Sequence, residues 1–288
     1  MIPGTFDYHR PADLTEAIGL LSRLDSDARV IAGGHSLIPM MKLRLAAPSH
    51  LVDLAAITEL KGVRVEGGEI VIGAMTTQHD IIANEILATH APILKEAAAL
   101  IADPQVRYVG TIGGNVANGD PGNDMPALMM ALDASFTLRG PKGDRSVAAR
   151  AYYRGPYDTA ALAGEILTVI RFATPPAGHG FAYEKLKRKV GDYATAAAAV
   201  ILTVADGKIA ACAITLTNVG DTALVAADAA KAVIGTALDK ASLAKAVAAA
   251  EAITAPAADG RGSAEYRSKM AGVMTARALR RAFARATA

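Results

Sequence analysis

Two glycine pairs constrain this chain more than any other feature: Gly33-Gly34 within Ala32-Gly33-Gly34-His35-Ser36, and Gly113-Gly114 within Thr111-Ile112-Gly113-Gly114-Asn115. Each pair is predicted to leave an extended segment. Glycine lets the backbone take positive φ and come close to a ligand, and successive N–H groups then face one concavity that suits an anion. Ser36 and Asn115 would add a hydroxyl and an amide, and a helix from Leu37 onward would turn its N-terminus toward negative charge. A diphosphate suits such a cradle without any lysine. The motifs of other nucleotide folds are missing, since there is no G-x-G-x-x-G and the one G-x-x-x-x-G, Gly68 to Gly73, continues as Ala74-Met75. That argues against Rossmann and P-loop sites. Taken singly, a glycine pair is more often an ordinary turn.

At 288 residues and 52% hydrophobic content the chain has material for two or three packed modules. A net charge of +2 with acids and bases interspersed gives no basic stripe, so no nucleic-acid partner is expected. Cys212 is the single cysteine, which excludes an internal disulfide and a Cys-ligated iron–sulfur cluster held by this chain alone. The six histidines have no metal-ligand spacing, so neither a metal site nor a catalytic side chain is assigned. The N-terminus has no export-signal pattern, and the small-apolar run Ala194 to Ala205 is shorter than the ~20 residues of a membrane helix. It reads as a buried strand in a cytoplasmic protein.

Asp13 and Glu16 resemble a capping box ahead of Leu14, Ala17, Ile18, Leu21 and Leu24, and strands are expected at Arg29 to Ala32 and Leu51 to Leu54. A hairpin about Gly67-Gly68 opens a second module, with helices at Gln78 to Leu87 and Pro92 to Ile101, a glycine-dense loop from Gly110 to Gly122, a helix near Pro126 to Leu132, and strands at Ser135 to Arg139 and Ile166 to Phe172. Thr174 to Gly178 marks a linker. An antiparallel meander then runs from Phe181 to Leu216, followed by alanine-rich helices at Ala226 to Ile234, Ser242 to Ile253 and Ser263 to Ala286. The class is α+β.

The wording and spacing of AGGHS and TIGGN, with the opening F-x-Y-x-x-P at Phe6 to Pro11, closely resemble the flavoprotein subunits of molybdenum hydroxylases. These belong to the vanillyl-alcohol-oxidase-type (PCMH-type) FAD-binding fold, and the likeness spans essentially the whole chain. Within the family the AGGHS wording and the length are most similar to members that oxidise carbon monoxide. The resemblance implies an N-terminal α/β FAD-binding domain at residues 1–56, a middle α+β FAD-binding domain at 57–177, and a C-terminal sheet-and-helix domain at 178–288 bordering the flavin. Ala32, Gly33, Gly34, His35 and Ser36 map onto one diphosphate loop, and Thr111, Ile112, Gly113, Gly114 and Asn115 onto the other.

By the same resemblance Asp124, in Asp124-Met125-Pro126-Ala127, hydrogen-bonds FAD hydroxyls, Lys185 reaches the flavin, and Tyr193 covers one ring face. The plainer readings are that Asp124 caps the helix at Pro126, that Lys185, Lys187, Arg188 and Lys189 are a solvated strand edge, and that Tyr193 is half-buried core. His35 is expected beside the phosphates without a covalent bond, and Cys212 as a small buried hydrophobe. Arg277, Arg280, Arg281 and Arg285 read as a solvated or subunit-facing stripe. The family further implies a molybdenum-containing large subunit, a small subunit with two [2Fe-2S] clusters, the molybdenum cofactor on the partner, a dimer of heterotrimers, and a quinone-type acceptor. Association with the inner face of the cytoplasmic membrane fits such an acceptor. Rival readings are a flavin subunit serving a purine or N-heterocycle hydroxylase, a self-contained flavin reductase of the same fold, and a flavin-binding assembly protein without turnover.

Overall fold

The computed structural model describes residues 2–288, arranged about three main sheets. The first sheet is parallel, with β1 (Asp7–His9), β2 (Ala28–Ile31) and β3 (His50–Asp53) in the order β1-β3-β2. Helix α1 (Leu14–Leu24) crosses from β1 to β2, capped by Asp13, whose carboxylate accepts from the Glu16 N–H. Its Leu14, Ala17, Leu20 and Leu21 are buried at helical spacing. A short α2 (Leu37–Lys42) follows the first glycine pair.

The second sheet takes the order β4-β5-β10-β6-β7, from β4 (Val63–Glu66), β5 (Glu69–Gly73), β6 (Ser135–Gly140), β7 (Gly143–Ala148) and β10 (Ile166–Ala173). A small hairpin of β8 (Tyr153–Gly155) and β9 (Asp158–Thr159) stands beside it. Between β5 and β6 run α3 (Gln78–Ala83), α4 (Glu85–His90), α5 (Pro92–Ala98), α6 (Pro104–Val109), α7 (Ile112–Ala117) and α8 (Asp124–Ala131), and α9 (Ala149–Tyr152) follows β7. The expected single helix from Gln78 to Leu87 is two. Asn84 ends the first in an extended conformation, and its side chain accepts from the Leu87 N–H to start the second. The expected loop from Gly110 to Gly122 also contains a helix, α7, capped by Thr111.

The third sheet is the antiparallel run β11 (Gly180–Leu186), β12 (Ala196–Ala205), β13 (Lys208–Thr217) and β14 (Leu224–Val225). Helices α10 (Ala227–Val233), α11 (Lys240–Ala252) and α12 (Ala264–Ala286) complete the chain. The alanine run in β12 has a physical reason. Successive strand residues point to opposite faces, and here Ala197 and Ala199 join the core that holds α8 while Ala196, Ala198, Val200 and Leu202 join the core under α12. Small side chains let helices lie on both faces. Every residue of α8 is buried accordingly. Among the described residues no helix is long and apolar enough to cross a membrane.

Of the four arginines of α12 expected as a solvated or subunit-facing stripe, Arg277 and Arg280 are exposed, whereas Arg281 and Arg285 are held in ion pairs. Arg281 pairs with Glu96 on α5 and, at 2.6 Å, with Glu184 on β11, while Arg285 reaches Glu96 at 2.9 Å and the Phe181 carbonyl at 2.7 Å. Glu96 also accepts the Tyr183 N–H at 2.6 Å. These contacts clamp β11 and α12 onto α5. Cys212 is half-buried, and burial pushes its thiol up to about 12, leaving it an inert hydrophobe.

Candidate functional site

The two glycine loops meet. A β-carbon on Gly33 would lie 2.5 Å from the Val109 carbonyl oxygen and 2.6 Å from Gly110 Cα, so the first loop runs against the backbone entering the second. A β-carbon on Gly114 would stand 3.6 Å from Ala32 Cβ. The glycines serve different ends from those the sequence suggests. Only Gly34, at φ +72°, uses the left-handed region; Gly33, Gly113 and Gly114 are required by space. At Gly113 a β-carbon would fall 2.5 Å from Ala74 Cβ and 2.6 Å from its carbonyl oxygen.

Hydrogen-bond accounting separates the loops further. Among the described residues no protein acceptor takes the N–H groups of Gly33, Gly34, His35 or Ser36, so four successive donors precede α2. This first loop fits an anion nest. In the second loop the N–H groups from Ile112 to Asn115 are spent: Ile112 on Thr76 O, Gly113 on Ala74 O, Gly114 on the Thr111 hydroxyl, and Asn115 on Thr111 O. Its contribution to a phosphate is therefore close approach at glycine, not a second nest. Asn115 Oδ1 accepts from the Met125 N–H at 3.2 Å and its carbonyl accepts from Asn123 Nδ2 at 2.8 Å, which fixes α7 to the start of α8. His35 is exposed and Ser36 half-buried, the latter making no capping bond.

The structure brings Asp124 and Lys185 together, at 2.8 Å, with side chains only 5% and 1% exposed. Lys185 Nζ also points to the Leu100 carbonyl. Tyr183 donates its hydroxyl to the other Asp124 oxygen at 2.5 Å, and burial, then the Asp124 charge, hold that phenol well above its ordinary range. It remains a donor at any working pH. Asp124 is thus the first residue of α8, not its cap; Asn123 stands at the cap position. Tyr183 is a member of this cluster that sequence reading missed, although the alternation Tyr183, Lys185 along β11 places both side chains on one face. Nor is Lys185 part of a solvated edge.

Tyr193 is 41% exposed and stands apart from that buried pair, just before β12. Its ring lies along Gly122, where a β-carbon would come within 2.8 Å of Cδ1, and Arg261 sits 5.7 Å from the ring centroid. Gly122 is two residues from Asp124 in the segment joining α7 to α8, so the second glycine loop, the buried pair and the tyrosine are consecutive parts of one wall. Among the described residues no group of three or more His, Cys, Asp or Glu is placed to hold a metal.

Comparison with known proteins points the same way. Residues 4–175 match the family described as the FAD binding domain in molybdopterin dehydrogenase, and residues 181–282 match the CO dehydrogenase flavoprotein C-terminal domain. The chain is 64% identical over 286 residues to the carbon monoxide dehydrogenase medium chain of Afipia carboxidovorans, covering 99% of each. Against a crystal structure of a Cu,Mo-CO dehydrogenase in its cyanide-inactivated form the TM-score is 0.98, at 64% identity over 99% of this chain and 100% of the other. Against quinoline 2-oxidoreductase from Pseudomonas putida 86 it is 0.96, at 35% identity over the whole of both chains.

Proposed function

Because this chain belongs to the FAD-binding family of molybdopterin dehydrogenases, as a medium chain of the carbon monoxide dehydrogenase type, we propose that its two glycine loops hold FAD as the electron outlet of such an enzyme. The observation that carries the reading is the run of four unpaired N–H groups from Gly33 to Ser36, set against a second loop that offers glycine surface. Ala32 to Ser36 would bind the diphosphate with backbone donors, and Thr111 to Asn115 would close over it. His35 would lie beside the phosphates without a covalent bond. The Asp124–Lys185–Tyr183 cluster would present a fixed set of dipoles to the ribityl and flavin end, and Tyr193 would limit solvent at one ring face.

FAD bound there would supply the one- and two-electron redox chemistry that the side chains lack. The chain itself binds, orients and shields. Electrons would enter from two [2Fe-2S] clusters on a small subunit, after carbon monoxide oxidation at the molybdenum cofactor of a large subunit, and leave to a quinone-type acceptor. The working assembly would be a dimer of heterotrimers in the cytoplasm, associated with the inner membrane face. Three domains at residues 1–56, 57–177 and 178–288 would divide the labour, the first two clasping FAD and the third bordering the flavin. The 64% identity to a carbon monoxide dehydrogenase chain, against 35% to a quinoline enzyme, favours carbon monoxide over an N-heterocycle.

Metal analysis and an absorption spectrum of the native complex test this. Molybdenum, copper, iron and FAD together are expected, and molybdenum and iron without copper would move the substrate to a heterocycle. A second prediction follows from Cys212 being the single cysteine. The chain purified alone and loaded with FAD should contain no stoichiometric iron or molybdenum and should stay oxidised under carbon monoxide, whereas adding the partner subunits should restore flavin reduction. Bleaching of the flavin by carbon monoxide in the isolated chain would favour a self-contained flavoenzyme.

A further inference from the structure

Tyr157 occupies a conformation that a tyrosine resists. Its φ is +59°, in the left-handed region, on the turn between β8 and β9, and yet the residue is 59% exposed and no burial of its ring compels the geometry. What the conformation achieves is a pair of contacts with the segment linking α7 to α8. The Tyr157 N–H donates to the Gly119 carbonyl at 2.8 Å, and its hydroxyl donates to Asp120 Oδ2 at 3.1 Å. Gly119, itself at φ +64°, admits the hairpin: a β-carbon there would lie 2.9 Å from Thr159 Cγ2 and 3.2 Å from Tyr157 Cα.

Asp120 uses its other oxygen to accept the Gly122 N–H at 2.8 Å, and Gly122 is the surface on which the Tyr193 ring rests. A β-carbon on Gly122 would meet that ring at 2.8 Å and Asp120 Oδ1 at 3.2 Å, so the carboxylate and the ring share the same small space. Loss of solvent, then the Asp120 charge, then Tyr157 raise the Tyr193 phenol, in keeping with a neutral hydroxyl held beside a carboxylate. On the far side Arg261 stands over the ring and is itself fixed by Asp259 at 2.7 Å. The ring is therefore bounded by two separate segments, the one joining α7 to α8 and the one carrying Arg261.

We propose that Asp120 and Tyr157 are positioning residues for Tyr193, holding its ring over the flavin through the Asp120 carboxylate, so that the β8–β9 turn governs oxygen and solvent access to the reduced cofactor. This rests on the reading that Tyr193 covers the flavin. It adds two residues and one hairpin that have no place in the diphosphate loops, and it gives the strained turn a purpose.

The test uses the assembled enzyme with Tyr157→Phe, Asp120→Asn and Tyr193→Ala, measuring flavin content, visible circular dichroism of the flavin, and stopped-flow reoxidation of the reduced flavin in air. Tyr157→Phe keeps the ring and removes only the hydroxyl, so it stays informative even if Asp120→Asn loosens the segment. Expected are full flavin content in Tyr157→Phe, an altered flavin dichroism, and reoxidation faster by about fivefold, the population change that one net hydrogen bond controls. Tyr193→Ala should be at least as fast. If Tyr193→Ala reoxidises as the parent enzyme does, the covering role of Tyr193 falls and the proposal with it. If Tyr193→Ala is fast while Tyr157→Phe and Asp120→Asn keep the parent rate and dichroism, the covering role stands and the positioning role of Asp120 and Tyr157 is overturned.

Discussion

Gly33→Val is expected to abolish FAD retention and to lower stability, because its side chain has nowhere to go. The first methyl-bearing carbon would sit 2.5 Å from the Val109 carbonyl and 2.6 Å from Gly110 Cα, both backbone atoms that yield only if a loop moves. Overpacking of this kind costs about 1–3 kcal/mol, and any relief separates the two loops and disperses the four donors from Gly33 to Ser36. Gly67→Ala is the matching control. Gly67 sits at φ +60° with open space around it, so alanine there should cost roughly 1 kcal/mol of backbone strain and leave the flavin in place. Flavin released on denaturation, counted per chain, and the melting temperature separate the two cases. Full flavin occupancy in Gly33→Val would show that the first loop is not the diphosphate cradle.

Lys185→Met should destabilise the chain by about 3–5 kcal/mol, since it leaves the Asp124 carboxylate buried with only the Tyr183 hydroxyl for company. The damage belongs to the unpaired charge and not to the lost lysine. Adding Asp124→Asn to Lys185→Met should therefore recover most of the stability, the amide oxygen still accepting from Tyr183. Denaturant unfolding of the two single variants and the double variant measures this coupling. Flavin content in the restored double variant then asks a separate question, whether charge at this cluster is needed for FAD once folding is secure. A Lys185→Met protein that unfolds at the parent midpoint would mean that the pair is solvated and carries no such load.

What could be read from the sequence was local and periodic. The N-cap at Asp13, the hairpin at Gly67-Gly68, the alanine strand and the α+β class all depend on neighbours in the chain. Helix α7 could not be read that way, because two of its six residues are glycine, each unfavourable in a helix by about 1 kcal/mol. Its stability comes from Ala74 and Thr76, which accept its first N–H groups, and from the Thr111 cap. The same absence of long-range information hid the pairing of Asp124 with Lys185 and Tyr183, and that of Arg281 and Arg285 with Glu96. Thr111 followed by a glycine at the third helical position was the one available signal for α7, and the glycines themselves masked it. The lone nest likewise depends on which N–H groups are already taken, a question of partners that spacing does not answer.

The separation between Asp124 and its partners imposes an order on biosynthesis. Tyr183 and Lys185 lie 59 and 61 positions downstream of the carboxylate they satisfy, and the Glu96 clamp waits for Arg285, 189 positions on. At roughly 5–20 residues per second, a ribosome that has passed Asp124 needs about 3 to 12 s more to deliver Lys185. During that interval the segment around Asp124 has to stay open to water, since closing it would bury a charge alone. The first sheet can collapse early, but the core around α8 cannot seal until β11 brings in Tyr183 and Lys185. The nascent chain thus spends seconds with an apolar helix uncovered, which makes this the stage at which a chaperone is most needed and a cofactor cannot yet be locked in place.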